Sequence, residues 1–210
     1  MKKLKLPITN TIISKVLDLR NPETVKTKDG RTIIPLGTID AKKAHSELEQ
    51  SRENAALVIW FVIQIEQNLD SVIADYLFGP VVNGSVPGRD FFNNHILNTD
   101  ALGFAKKRII FMKIVKELNF LNGKEKGELD KLFADAMKMR NAFAHGKIIA
   151  HSENEPSIKF FSGKHQSVSL TEQFWTNLEK GFTELDEIVK TVKTNLFNKW
   201  LSVHSPVQNH

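Results

Sequence analysis

At 210 residues the chain has room for one well-buried domain with extensions and is too short for two large ones. Its 41% hydrophobic and 25% charged content is that of an ordinary soluble globular protein. The formal charge of +5 is compatible with a polyanionic partner but does not single one out, and the absence of cysteine excludes disulfides, thiolate metal sites and cysteine nucleophiles.

The opening Met1-Lys2-Lys3-Leu4-Lys5-Leu6 has the positive start of a secretory leader, but Thr9, Asn10, Thr11, Ser14 and Lys15 interrupt any apolar region behind it. Residues 1–38 are expected to form an N-terminal extension, with a hairpin over residues 24–35 around Asp29-Gly30. From about Asp40 to Phe78 the pattern is helical, as one long helix or two end to end. Residues 55–63 are apolar on all sides, which suits the central helix of a bundle. That run is too short to cross a bilayer and is followed by Gln64, Glu66 and Gln67, so a soluble, cytoplasmic chain with no membrane partner is expected.

Gly79-Pro80 ends the helix, and residues 79–99, rich in Asn, Gly and Pro, are expected to be a loop that orders only on assembly. A helix from about residue 100 to Leu118 would bury Ile109, Ile110, Phe111, Met112, Ile114, Val115 and Leu118. Lys106, Lys113, Lys116 and Glu117 would face water. A third helix starts near Lys124. Residues 157–170 then read as a hairpin around Ser162-Gly163, and Ser169 with Glu172 forms the pattern of a capping box. The last helix carries Trp175, Leu178, Phe182, Leu185, Val189, Val192, Leu196 and Trp200 as one stripe to about Leu201. The expected organisation is an extension (1–38), an all-α bundle (39–202) with a small hairpin at about 147–169, and a tail (203–210).

Chemistry concentrates at the end of the third helix, in Arg140-Asn141-Ala142-Phe143-Ala144-His145-Gly146. On a projection of about 100° per residue, Arg140 aligns with Leu129, Phe133 and Ala136, a costly place for a charge that is neither paired nor used. Asn141 and His145, four apart, share one side, and Gly146 offers a helix stop. Over five residues a regular helix turns about 500°, so Arg140 and His145 lie roughly 140° apart. They converge only if the helix unwinds near Ala144, or if the arginine reaches around or meets a second copy's histidine. Glu66 and Lys107 also sit on apolar arcs. Glu66 is expected to hold Arg140 by a bidentate contact, or to form a salt bridge that only fixes helix register. Lys107 is expected to snorkel to solvent.

Other signals carry less. No lysine follows Gly84, which excludes a phosphate loop for a nucleoside triphosphate. The seven histidines show no HxH, HxxxH or HExxH spacing, so no zinc site and no metal or other cofactor is expected. His151, His165, His204 and His210 lie in polar surroundings. Lys106-Lys107-Arg108 reads as a wet helix face, and Trp175 and Trp200 read as core or interface.

Arg140-Asn141-x-x-x-His145 at the close of a bundle helix resembles the motif of the HEPN family (higher eukaryotes and prokaryotes nucleotide-binding) in its RNxxAHG form. Gly103-Phe104-Ala105-Lys106-Lys107 and the hairpin after the motif also look like several bacterial members, over about residues 45–200. The resemblance implies a homodimeric helical bundle whose two motifs share one cleft. Many members are metal-independent endoribonucleases of toxin–antitoxin, phage-defence or RNA-processing systems; others are inactive RNA- or protein-binding scaffolds. On the active reading RNA is the substrate and a cognate antitoxin a possible partner. His145 is then the general acid or base, Arg140 the phosphate clamp, Asn141 an orienting partner and Glu66 the residue that directs the arginine. The competing reading outside the family is a helical adaptor with Trp175 and Trp200 exposed for a partner helix.

Overall fold

The computed structural model describes residues 12–13, 25–26, 32–33, 41–81, 86–99, 102–150 and 155–204. The leader-like start, the Asp29-Gly30 turn, Gly84, His151, His210 and the rest of the tail beyond His204 lie outside the described residues. The described chain is mostly helical with small sheets, and it divides into two compact units, one joining Met1–Leu57 to Asn141–Trp175 and the other Val58–Arg140 to Thr176–His210.

In the first unit, strands β1 (Ile12–Ile13), β4 (Lys147–Ala150), β5 (Ser157–Ser162) and β6 (Lys164–Ser169) form one sheet in the order β1-β4-β5-β6. The last three are antiparallel and β1 joins β4 in parallel, so part of the presumed extension is a sheet edge. The second expected hairpin is also present, as β2 (Val25–Lys26) pairs with β3 (Thr32–Ile33), Val25 opposite Ile33. The turn at Ser162-Gly163 is where the sequence places it, and Gly163 takes φ +69°, a conformation glycine adopts without a Cβ penalty. Ile158 and Phe160 fill the inner face of β5.

Helix α1 (Ala41–Phe78) is a single 38-residue helix that contributes to both units. By length and composition alone its Ser46–Phe78 stretch would reach across a membrane, further than residues 55–63 suggest. Core helices meet the same criterion; here Val62, Ile65, Leu69, Val72 and Ile73 are buried in protein, although only 33% of the most apolar stretch is. Gly79 ends α1 at φ +79° with its N–H on the Asp75 carbonyl at 2.9 Å, and a Cβ there would stand 2.6 Å from Trp200 Nε1. Conformation and space both demand glycine.

The second unit corrects the loop expected over residues 79–99. Pro87–Phe92 is a short helix (α2) with proline in its first turn, followed by a π-helical stretch, Asn93–Leu97. Two anchors order it: Leu97 is buried with Ile73, Ala74 and Ile114, and Arg89 is buried against Asp75. Neither contact is local in sequence, so turn-forming composition alone could not show it. Helix α3 (Phe104–Leu118) buries Phe104, Phe111, Ile114 and Val115, whereas Ile109, expected inside, is exposed.

Helix α4 (Gly123–His145) opens on a reciprocal cap. Asn122 Oδ1 accepts the Glu125 N–H at 3.0 Å, and Glu125 Oε2 accepts the Asn122 N–H at 2.7 Å. Helix α5 (Glu172–His204) runs three residues past the expected end and buries Phe182, Leu185, Val189, Val192 and Leu196. Its cap is not Ser169, which belongs to β6, but Thr171, whose Oγ1 accepts the Phe174 N–H at 3.1 Å. The strand runs through Ser169, and the cap lies two residues beyond the one the Ser169/Glu172 pattern implies.

Candidate functional site

Arg140, Asn141 and His145 all lie in the last turns of α4, and all three side chains are exposed. The expectation of a buried Arg140 is therefore corrected. The reason lies in how the covered face of α4 drifts along the helix. On the same projection, Leu129 and Phe133 lie to Arg140's side of Ala136, while the later buried residues Met139, Ala142 and Phe143 lie to the other. By the last two turns the covered face has swung past Arg140 and left it in solvent.

The helix stays regular through His145, and the Gly146 N–H closes it on the Ala142 carbonyl at 2.7 Å. Unwinding near Ala144, one route to bringing Arg140 and His145 together, does not occur. Asn141 and His145 keep their shared face one turn apart, and Arg140 points roughly 140° from His145. Gly146 does not have a left-handed φ. A Cβ there would fall on the Ala142 carbonyl oxygen and within 3.1 Å of Ile158 in β5. Glycine thus lets the strand leave the helix tightly, which holds His145 at the junction. Gly146→Ala is expected to cost roughly 1–3 kcal/mol, as overpacking does. A urea-denaturation midpoint unchanged from wild type would contradict it.

Glu66 does not direct Arg140. Its Oε1 lies 2.9 Å from Lys107 Nζ, and Asp70 Oδ2 lies 2.9 Å from the same nitrogen. Lys107 is thus buried between two carboxylates that sit four residues apart on α1, rather than snorkelling. Burial lowers its proton affinity, but the hydrogen bonds to Asp70 and Glu66 outweigh that and hold its pKa above the usual lysine value. Burial raises the Asp70 pKa despite Lys107, and its Oδ1 has no hydrogen-bond partner. The sequence marked Glu66 and Lys107 on apolar arcs but assigned Glu66 to Arg140, and it did not single out Asp70.

A second feature had no sequence signal. In the Val58–Arg140 unit a hollow of about 260 Å³ is lined by Gln67, Asp70, Ser71, Arg89, Asn93, Leu97 and Asn98. It lies beside two ion clusters, the partly exposed Glu66–Lys107–Asp70 and the buried Asp75–Arg89, whose cations are already matched by carboxylates. Of the remaining histidines, His165 meets Phe161 edge-on and His204 stacks on Trp200. Trp175 stacks on Phe143 at 5.5 Å and, like Trp200, is half-buried, which removes the exposed indoles required by the adaptor reading. No protein-family model, curated protein or solved structure matches the chain.

Proposed function

We propose that the chain is a HEPN-type, metal-independent endoribonuclease that works as a homodimer in the cytoplasm, in a toxin–antitoxin or phage-defence setting. The observation that carries this reading is an Asn–His pair one turn apart at a helix end, exposed together with an arginine that diverges from it on the same helix. An imidazole is suited to proton transfer near neutrality and a guanidinium to the charge on a phosphorane. In the reaction, His145 takes the proton of a 2′-hydroxyl, whose oxygen attacks the adjacent phosphorus. Arg140 stabilises the phosphorane oxygens and Asn141 orients the imidazole or phosphate. The P–O5′ bond breaks, the 5′-oxygen receives a proton from a second imidazole, and a 2′,3′-cyclic phosphate remains.

Because Arg140 and His145 diverge on one helix that does not unwind, a complete set comes from two motifs facing each other, or from an arginine that reaches around the helix. Trp60 and Ile63, 56% and 42% exposed on α1, offer apolar surface for the pairing. In this reading α1 is the core helix of a soluble bundle.

The test is purified protein with total RNA in EDTA. Wild type is expected to cut, and His145→Ala to lose at least about 100-fold in rate. Arg140→Ala should also abolish cutting while changing stability by no more than about 1 kcal/mol, since the side chain is exposed. Intact RNA from a folded dimer across broad substrate panels would refute the nuclease. The divergence of Arg140 from His145 favours the alternative, a non-catalytic HEPN-like RNA- or protein-binding scaffold. In that case His145→Ala changes nothing measurable.

A further inference from the structure

The solvent face of the small sheet carries a constellation that folding does not call for. In an antiparallel ladder, directly opposed residues project to the same face, and alternate residues along a strand share it. Lys147 is opposite Lys159, Lys159 opposite Ser167, and Phe161 opposite His165. One face therefore gathers Lys147, Lys159, Phe161, His165 and Ser167, with no carboxylate among them. Ile149 and Ser157, further along the same face, are buried, so only the end nearest the Ser162-Gly163 turn is open. Like charges set directly across a ladder are destabilising, so the Lys147–Lys159 pair works against the hairpin. Phe161 is 69% exposed, although its ring meets the His165 imidazole edge-on at 5.5 Å.

Two adjacent cations beside an open aromatic ring have a chemical complement. Phosphates neutralise the lysines, and an unpaired base stacks on the phenyl ring. A duplex does not satisfy both, because its bases are already stacked on one another. The face also begins where the motif ends. His145 and Lys147 are separated by Gly146 alone, so their Cα atoms are no more than about 7 Å apart.

We propose that this sheet face is a docking platform for single-stranded RNA, with Lys147 and Lys159 holding the backbone and Phe161 stacking a base next to His145. The proposal rests on the ribonuclease reading only for its assignment of purpose; the platform binds RNA whether or not the motif cuts it.

The experiment measures fluorescence anisotropy of a labelled oligouridylate with the full chain carrying His145→Ala, so that the probe stays intact. Adding Phe161→Ala is expected to weaken binding about tenfold and Phe161→Trp to restore it. Adding Lys147→Gln with Lys159→Gln should lower the slope of log affinity against log salt by about 1.4, two single-strand phosphate contacts. It should also leave the melting temperature unchanged or raised, because the like-charge pair is gone. A parent that does not bind the oligouridylate overturns the platform. So does equal binding by parent and Phe161→Ala, or equal weakening of a duplex probe by that substitution. Failure of the nuclease reading shows separately: His145→Ala in the otherwise native chain would then cut RNA like wild type, or neither would cut.

Discussion

Replacing Lys107 with alanine is expected to remove roughly 3–5 kcal/mol of stability, the cost of leaving buried charge uncompensated. The two carboxylates it serves, Glu66 and Asp70, would face each other on α1 with no cation between them. The loss should be largest near neutral pH and shrink in acid, where protonation relieves the repulsion. The wild type has its own pH signature. Lys107 has a raised folded pKa, so its contribution is complete below the ordinary lysine value of 10.5 and is lost as pH rises through the higher folded value. Asp70 is also raised, so its contribution is complete below 3.8 and is lost as pH rises through its folded pKa. Urea midpoints of wild type and Asp70→Asn across acidic pH should therefore diverge over that window. A Lys107→Ala chain as stable as wild type at neutral pH would show that the triad is open to water. Replacing all three residues with apolar or neutral isosteres should cost less than the single change, because nothing charged is then stranded.

Arg89→Ala should cost a similar amount, about 3–5 kcal/mol, for a different reason. Arg89 Nη1 reaches Asp75 Oδ1 and the Gly79 carbonyl, both at 2.7 Å, and both side chains are about nine-tenths buried. Its removal strands the carboxylate and a carbonyl just past the end of α1, and it releases α2 from its anchor. Two measurements separate local from global effects. The urea midpoint should fall, and amide exchange over residues 87–97 should accelerate more than exchange within α3. Arg89→Lys should recover only part of the loss, because an ammonium cannot reproduce the planar fork. Unchanged exchange in that segment would mean that Leu97 alone holds it.

The mostly helical class, the order of the helices and both hairpins were legible because each rests on information local in sequence. Apolar residues recurring about every 3.6 positions specify α1, α3, α4 and α5, and Ser162-Gly163 specifies the turn between β5 and β6. Even so, local patterns misplaced the start of α5. Ser169 has the right spacing for a cap, but pairing with Ser157 extends β6 through it and passes the role to Thr171. The segment at residues 86–97 failed in the opposite sense. Its composition reads as loop, and only contacts with distant residues give it helical form.

For the site, the sequence by itself determined that Asn141 and His145 share a helix face and that Arg140 diverges from it, since helical pitch decides both. It also marked Glu66, Lys107 and Arg140 as ionisable residues on apolar arcs. Only the tertiary structure decided that Glu66 and Asp70 enclose Lys107, that Arg140 lies in solvent, and that two lysines and a phenylalanine share a sheet face beside His145. The physical reason is that a helical projection fixes angles about a single axis. Which part of that circumference is covered, and by what charge, depends on neighbours brought together from far along the chain, and the covered arc changes along the helix.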